Sequence, residues 1–232
     1  MPFFSHYKIQ MPDIFPISEW EAFHAFGLNL CPGTSDAAGE FVRALGASAF
    51  RLRSADEALA SITAGWDAAA GTIAFEAHYA QQRDLFSYFA CLQSSVESAL
   101  YACYIVLAHR HPSAIPWADL KPRKRQLEKE LPKKLAQVYP TGSPLQATVI
   151  ALAVSPQWAE IDAFRNLLIH RALPSRLVEG VIGDGPAFKA LVVKYAASWS
   201  TPELRADESQ LRERAVWIAE RLRQIFADGL RL

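Results

Sequence analysis

Arg165, Asn166 and His170 are the residues whose types and spacing best fit chemistry. They lie in the run Arg165-Asn166-Leu167-Leu168-Ile169-His170. A His gives and takes a proton near neutral pH. An Arg among apolar neighbours keeps its charge and calls for an anion, either a carboxylate of its own chain or a phosphate. Together they suit cleavage of an RNA phosphodiester without a metal. The His would move protons for the 2′-OH attack or the leaving group, and the Arg would hold the developing negative charge. Asn166 would orient the His or a phosphate oxygen. A structural reading stands beside this one: Arg165 pairs with a buried Glu, and His170 is a histidine favoured at a helix C-terminus by the helix dipole.

A helix must carry these residues. Ser155 can cap it, and Pro156 then occupies the first helical position, where its missing N–H costs nothing. No Gly or Pro follows until Pro174, so the spacing predicts a helix ending near Ala172 or Leu173. At 100° per residue, Trp158, Ile161, Phe164, Leu168 and Ala172 share one apolar face, and Arg165 falls within it. Asn166 and His170 share a flank, with Asp162 above them. Arg165 and His170 stand about 140° apart around the axis and roughly 7.5 Å apart along it.

The string RNLLIH resembles the R-x4-6-H motif of the HEPN families (higher eukaryote and prokaryote nucleotide-binding domain), in the form with Asn after the Arg. It also sits where those families carry it, late in a helix that follows a long apolar helix. The resemblance covers roughly residues 75–170. It implies an all-α, antiparallel helical bundle, here with extra N-terminal and C-terminal helices. It further implies a metal-independent ribonuclease, toxin-like or defensive, acting as a homodimer whose two motifs meet in a cleft. Arg165 and His170 become catalytic candidates and Asn166 a supporting one. RNA is the implied substrate, and an antitoxin or other protein is a further implied partner. Other members of these families are inactive and serve as nucleotide-binding or interaction modules, which is the alternative here.

Composition bounds these readings. The chain has 232 residues, 51% of them hydrophobic, enough for one large core. Its Ala-rich, Gly-poor segments favour helix. Lys plus Arg and Asp plus Glu both number 24, so the chain lacks the overall basic footprint of a nucleic-acid coat, and only a local patch can serve. Three unclustered cysteines suggest reduced thiols and a cytoplasmic setting. No zinc-ligand spacing occurs, and the Gly-rich EGVIGDGP at 179–186 lacks the P-loop pattern, so no metal or cofactor is expected. Residues 1–15 lack the basic start and apolar run of a signal peptide.

Residues 1–70 read as an N-terminal helical extension on a bundle spanning 71–232. A proline-broken arm leads to a short helix opened by a Ser18–Glu21 capping box and closed by Gly27. Two helices follow, at 36–50 and 54–66, the second opened by Ser54 and Glu57. Residues 72–111 contain no Gly or Pro. One helix of that length would span about 60 Å, so a bend or break is expected near Gln81–Arg83. Its stretch from Leu85 to Ala108 carries one charge, Glu97, and reads as a buried central helix rather than a membrane span. Glu97 then needs a partner, and Arg165 is the plainest. Tyr101 and Tyr104 on the same helix either stack on a base or pack in the core.

A basic excursion covers 112–140. Between Lys121 and Lys134 it holds seven basic residues, Lys121, Arg123, Lys124, Arg125, Lys129, Lys133 and Lys134, against two acidic ones. It is either a solvated face or a phosphate-tracking strip for RNA. Beyond the motif helix, Pro186 to Trp199 is expected to be helical. Leu204 to Phe226 reads as an amphipathic helix, with Thr201 its cap and Leu211, Ile218, Leu222 and Ile225 inward.

Overall fold

Two long helices lie along each other because each carries an apolar seam of the same period. In the computed structural model the first is α2, Asp36–Ala68, and the second α3, Phe75–Arg110. On α2 the buried positions Leu45, Ser48, Leu52, Ala55, Leu59 and Ile62 alternate steps of three and four. On α3 Leu85, Tyr88, Leu92, Val96, Ala99 and Cys103 do nearly the same. That is the spacing with which two helices interlock lengthwise. They run antiparallel: the Ser61 hydroxyl donates to Asp84 at 2.6 Å, and further along Arg51 donates to the Ser94 carbonyl at 3.0 Å.

The structure describes residues 3–4, 9–31, 36–68, 75–116, 127–170, 175–181, 194–200 and 205–232. Around the long pair sit α1 (Ile17–Leu30), α4 (Leu127–Val138), α5 (Pro144–Ala153), α6 (Pro156–His170) and α7 (Glu208–Gly229). The fold is mostly helical. One hydrophobic cluster draws on all seven of these helices, among them Phe23, Phe41, Phe89, Leu135, Val149, Phe164 and Phe226.

Several local expectations are corrected. The break expected between residues 50 and 54 is absent, since the buried seam of α2 continues through Leu52. Ser54 lies inside that helix, and Glu57 pairs with Arg53 at 2.7 Å instead of closing a capping box. The break expected near Gln81–Arg83 is also absent: α3 is continuous over 36 residues, about 54 Å by its rise, because α2 covers its length. Helix α1 begins after Pro16 with no side-chain cap and runs past Gly27 to Leu30. The helix expected at 186–199 gives way to strand β4, Lys194–Ser200, in the part that is described. It pairs antiparallel with β3, Ser175–Val181. The four-residue spacing of Tyr195 and Trp199 fits a period of two as well as one of 3.6, so periodicity alone could not choose. Near the N-terminus a short pair, β1 (Phe3–Phe4) and β2 (Ile9–Gln10), replaces the expected irregular arm, and β5 (Arg205–Ala206) extends β4. The cap of α7 is Asp207, in a reciprocal box with Gln210, rather than Thr201. Its inward set, Leu211, Ile218, Leu222 and Ile225, is buried as expected.

The stretch Tyr79–Arg110 is long and apolar enough to cross a membrane by length and composition alone, yet 72% of its most apolar window is buried inside the structure. Helix α5 buries Leu145, Val149 and Leu152 in the core. Its polar side chains point inward, Gln146 to the Pro132 carbonyl at 3.3 Å and Thr148 to Asp228 at 2.7 Å, while Ile150 and Val154 are exposed.

Helix α1 joins α2 to α7 through aromatic rings. Phe23 meets Phe41 edge-on, with centroids 5.5 Å apart, and stacks on Phe226 at 6.0 Å. The Trp20 indole donates to the Leu45 carbonyl at 3.1 Å. Gly27 allows this close approach, for a Cβ there would stand 2.1 Å from Phe41 Cζ. Gly27→Ala should therefore cost about 1–3 kcal/mol through overpacking, less the helix-propensity gain of Ala. Chemical denaturation checks this, and a variant as stable as the native protein would refute the close packing.

Candidate functional site

Helix α6 starts as its sequence dictates. Pro156 is its first residue, and the Ser155 hydroxyl accepts from the Trp158 amide at 3.2 Å. Trp158, Ile161 and Phe164 are buried and Leu168 is half-buried against the core. The anchor is a ring pair: Phe164 of α6 stacks on Phe89 of α3 with centroids 4.6 Å apart and planes 8° from parallel. On the other side Arg214 of α7, 7% exposed, pairs with Glu160 at 2.8 Å and covers the Phe164 ring at 5.6 Å. Helix α6 is thus clamped between α3 and α7.

With Phe164 inward, Asp162, Arg165 and Asn166 fall at the margin of the packed face, and all three are half-buried. They are joined in sequence. Arg165 Nη1 donates to Asn166 Oδ1 at 3.1 Å, and Asn166 Nδ2 donates to Asp162 Oδ2 at 3.0 Å. The other Asp162 oxygen accepts from Gln93 Nε2 of α3 at 3.1 Å. Both ends of the Asn166 amide are thus engaged with Arg165 and Asp162. His170 is the last residue of α6, one helical turn beyond Asn166.

The expected ion pair between Glu97 and Arg165 does not form among the described residues. The Arg165 head is drawn along its own helix to Asn166, and the two charges act only through space. Burial pushes the Glu97 carboxyl above its ordinary range. The nearby Glu128 adds to this, Arg165 and Arg51 oppose it, and Asp162 raises it slightly further. Burial also raises the Glu128 carboxyl, against its own backbone hydrogen bond and Lys129. Arg51 is held by the Ser94 carbonyl and the Ser98 hydroxyl. Arg165 thus acts on Glu97 through space without pairing with it, while Asp162 is engaged by the Gln93 and Asn166 amides. Its remaining N–H donors have no protein acceptor among the described residues.

Tyr104 is buried and Tyr101 half-buried against the core, the packing alternative for both. Lys121, Arg123, Lys124 and Arg125 lie outside the described residues. Of the remaining strip, Lys129 is exposed, and Lys133 pairs with Glu130 at 2.8 Å. All three cysteines are free thiols, and burial pushes each of them up. Among the described residues no group of three His, Cys, Asp or Glu is placed to hold a metal ion. Gln93, Arg51, Glu128 and Arg214 escaped the sequence reading as site neighbours. For Gln93 a signal existed: it precedes Glu97 by four on an otherwise apolar helix, which puts both on one face.

No family model, no curated protein and no solved structure matches this chain.

The state of Glu97 has a measurable consequence. A carboxyl whose folded pKa lies above its unfolded value, about 4.3, favours folding most in acid and loses that contribution as pH rises through the raised folded value. Glu97→Gln should then raise the melting temperature at about pH 7.5, and the gain should shrink towards nil near pH 4. Thermal melts across that range check it. A loss of stability at neutral pH would instead signal a direct ion pair with Arg165.

Proposed function

We propose that the chain is a metal-independent endoribonuclease of HEPN type, toxin-like or defensive, that works as a cytoplasmic homodimer. The observation that carries this is the state of Arg165. It is a half-buried guanidinium with one neutral protein acceptor, Asn166, and no ion-paired carboxylate among the described residues. A half-buried guanidinium without a paired carboxylate is free to grip a phosphate oxygen through charge-assisted hydrogen bonds. It stands on the helix that ends at His170, in the R-x4-H string that resembles those families.

In the proposed reaction the RNA 2′-OH attacks the adjacent phosphorus. A base, His170 of one copy, takes the 2′-OH proton. The P–O5′ bond breaks, and the departing 5′ oxygen receives a proton from His170 of the other copy. The products are a 2′,3′-cyclic phosphate and a free 5′-OH. Arg165 holds a non-bridging phosphate oxygen as its charge grows. Asn166 accepts from Arg165 and holds its head in place.

The test is RNA cleavage by purified protein in EDTA, beside folded Arg165→Ala and His170→Ala proteins. The native chain should cleave and leave 2′,3′-cyclic ends, and each variant should be slower by about 10²- to 10⁴-fold. If a verified dimer cleaves no RNA pool, the chain is instead a non-catalytic nucleotide-binding or interaction module, and Arg165 is scaffold.

A further inference from the structure

Three hydrogen bonds run in line from α3 to the Arg165 head, and their polarity admits one arrangement. A carboxylate such as Asp162 only accepts, so both amides that meet it must present N–H. Gln93 does so from α3 at 3.1 Å and Asn166 from α6 at 3.0 Å. Asn166 must then turn its oxygen the other way, where it takes Arg165 Nη1 at 3.1 Å. A flip of either amide would set a carbonyl oxygen against the carboxylate. Gln93 is 8% exposed and belongs to the longest helix of the core, so the chain of bonds has a rigid origin.

We infer that Gln93 and Asp162 are positioning residues that hold the Arg165 guanidinium in one orientation for an incoming phosphate. This rests on the RNA-cleavage reading above and adds to it a relay that starts outside the motif helix. Neither residue touches substrate. An Arg side chain has much rotamer freedom to lose when it grips an anion. The relay removes that freedom before substrate arrives, as preorganised transition-state stabilisation requires. It also assigns Asn166 the role of holding Arg165.

Two measurements test it on the full chain. The first is NMR of arginine side chains in ¹⁵N-labelled protein, with the Arg165 signal identified by its loss in Arg165→Lys. Rotation of the guanidinium should be restricted in the native protein and released in both Gln93→Leu and Asp162→Asn. The second is steady-state cleavage of RNA. In both variants kcat should fall about tenfold to a hundredfold while KM changes little, because the contact matters most in the transition state. Melting curves show whether each variant folds, and Asp162→Asn serves if Gln93→Leu does not. Cleavage with native kcat and unchanged Arg165 motion in the variants overturns this inference alone. A native protein that cleaves nothing overturns the reading and this role together, even if the guanidinium is ordered.

Discussion

The stack of Phe164 on Phe89 is the contact on which the candidate site depends. Nearly parallel rings with centroids 4.6 Å apart fix both the rotation and the height of α6 against α3. Rotation decides which residues reach the interface margin. With Phe164 inward, Asp162 comes within reach of Gln93, and Arg165 lands at the edge of the buried face rather than in bulk water. Arg214 seals the outer side of the same ring and ties Glu160 to α7.

Electrostatics at the site follow from burial more than from pairing. A direct ion pair between Glu97 and Arg165 is the arrangement that the sequence suggests. The structure instead engages Asp162 with two neutral amides, and burial pushes the Glu97 and Glu128 carboxyls above their ordinary range. Desolvation weighs against ionised carboxylates wherever no donor meets them. An Arg guanidinium stays charged in proteins, whatever its neighbours. Arg165 is thus a half-buried positive charge with no direct ion pair among the described residues.

The long antiparallel pair supplies the rigidity that such a centre needs. The helices of 33 and 36 residues draw their stability from tertiary packing, since each covers the other's apolar seam. Gln93 and Glu97 occupy α3 where α6 crosses it, so the site is built on the stiffest element of the fold. Gly27 and Gly229, by omitting a side chain, let Phe23 and Phe41 close the far end.

The sequence by itself determined the mostly helical character, the start of α6 at Ser155 and Pro156, and the inward faces of α6 and α7. These rest on local rules: capping chemistry, proline geometry and a 3.6-residue period. Tertiary structure alone decided whether α2 and α3 continue through weak points, because a neighbouring helix repays what local propensity withholds. It decided strand over helix at Lys194–Ser200, where a spacing of four fits both periods and only a partner strand separates them. It also decided that Arg165 leans on Asn166 and not on Glu97. Partner choice among several nearby charges depends on separations of a few ångströms between helices far apart in the chain, and no local pattern encodes those.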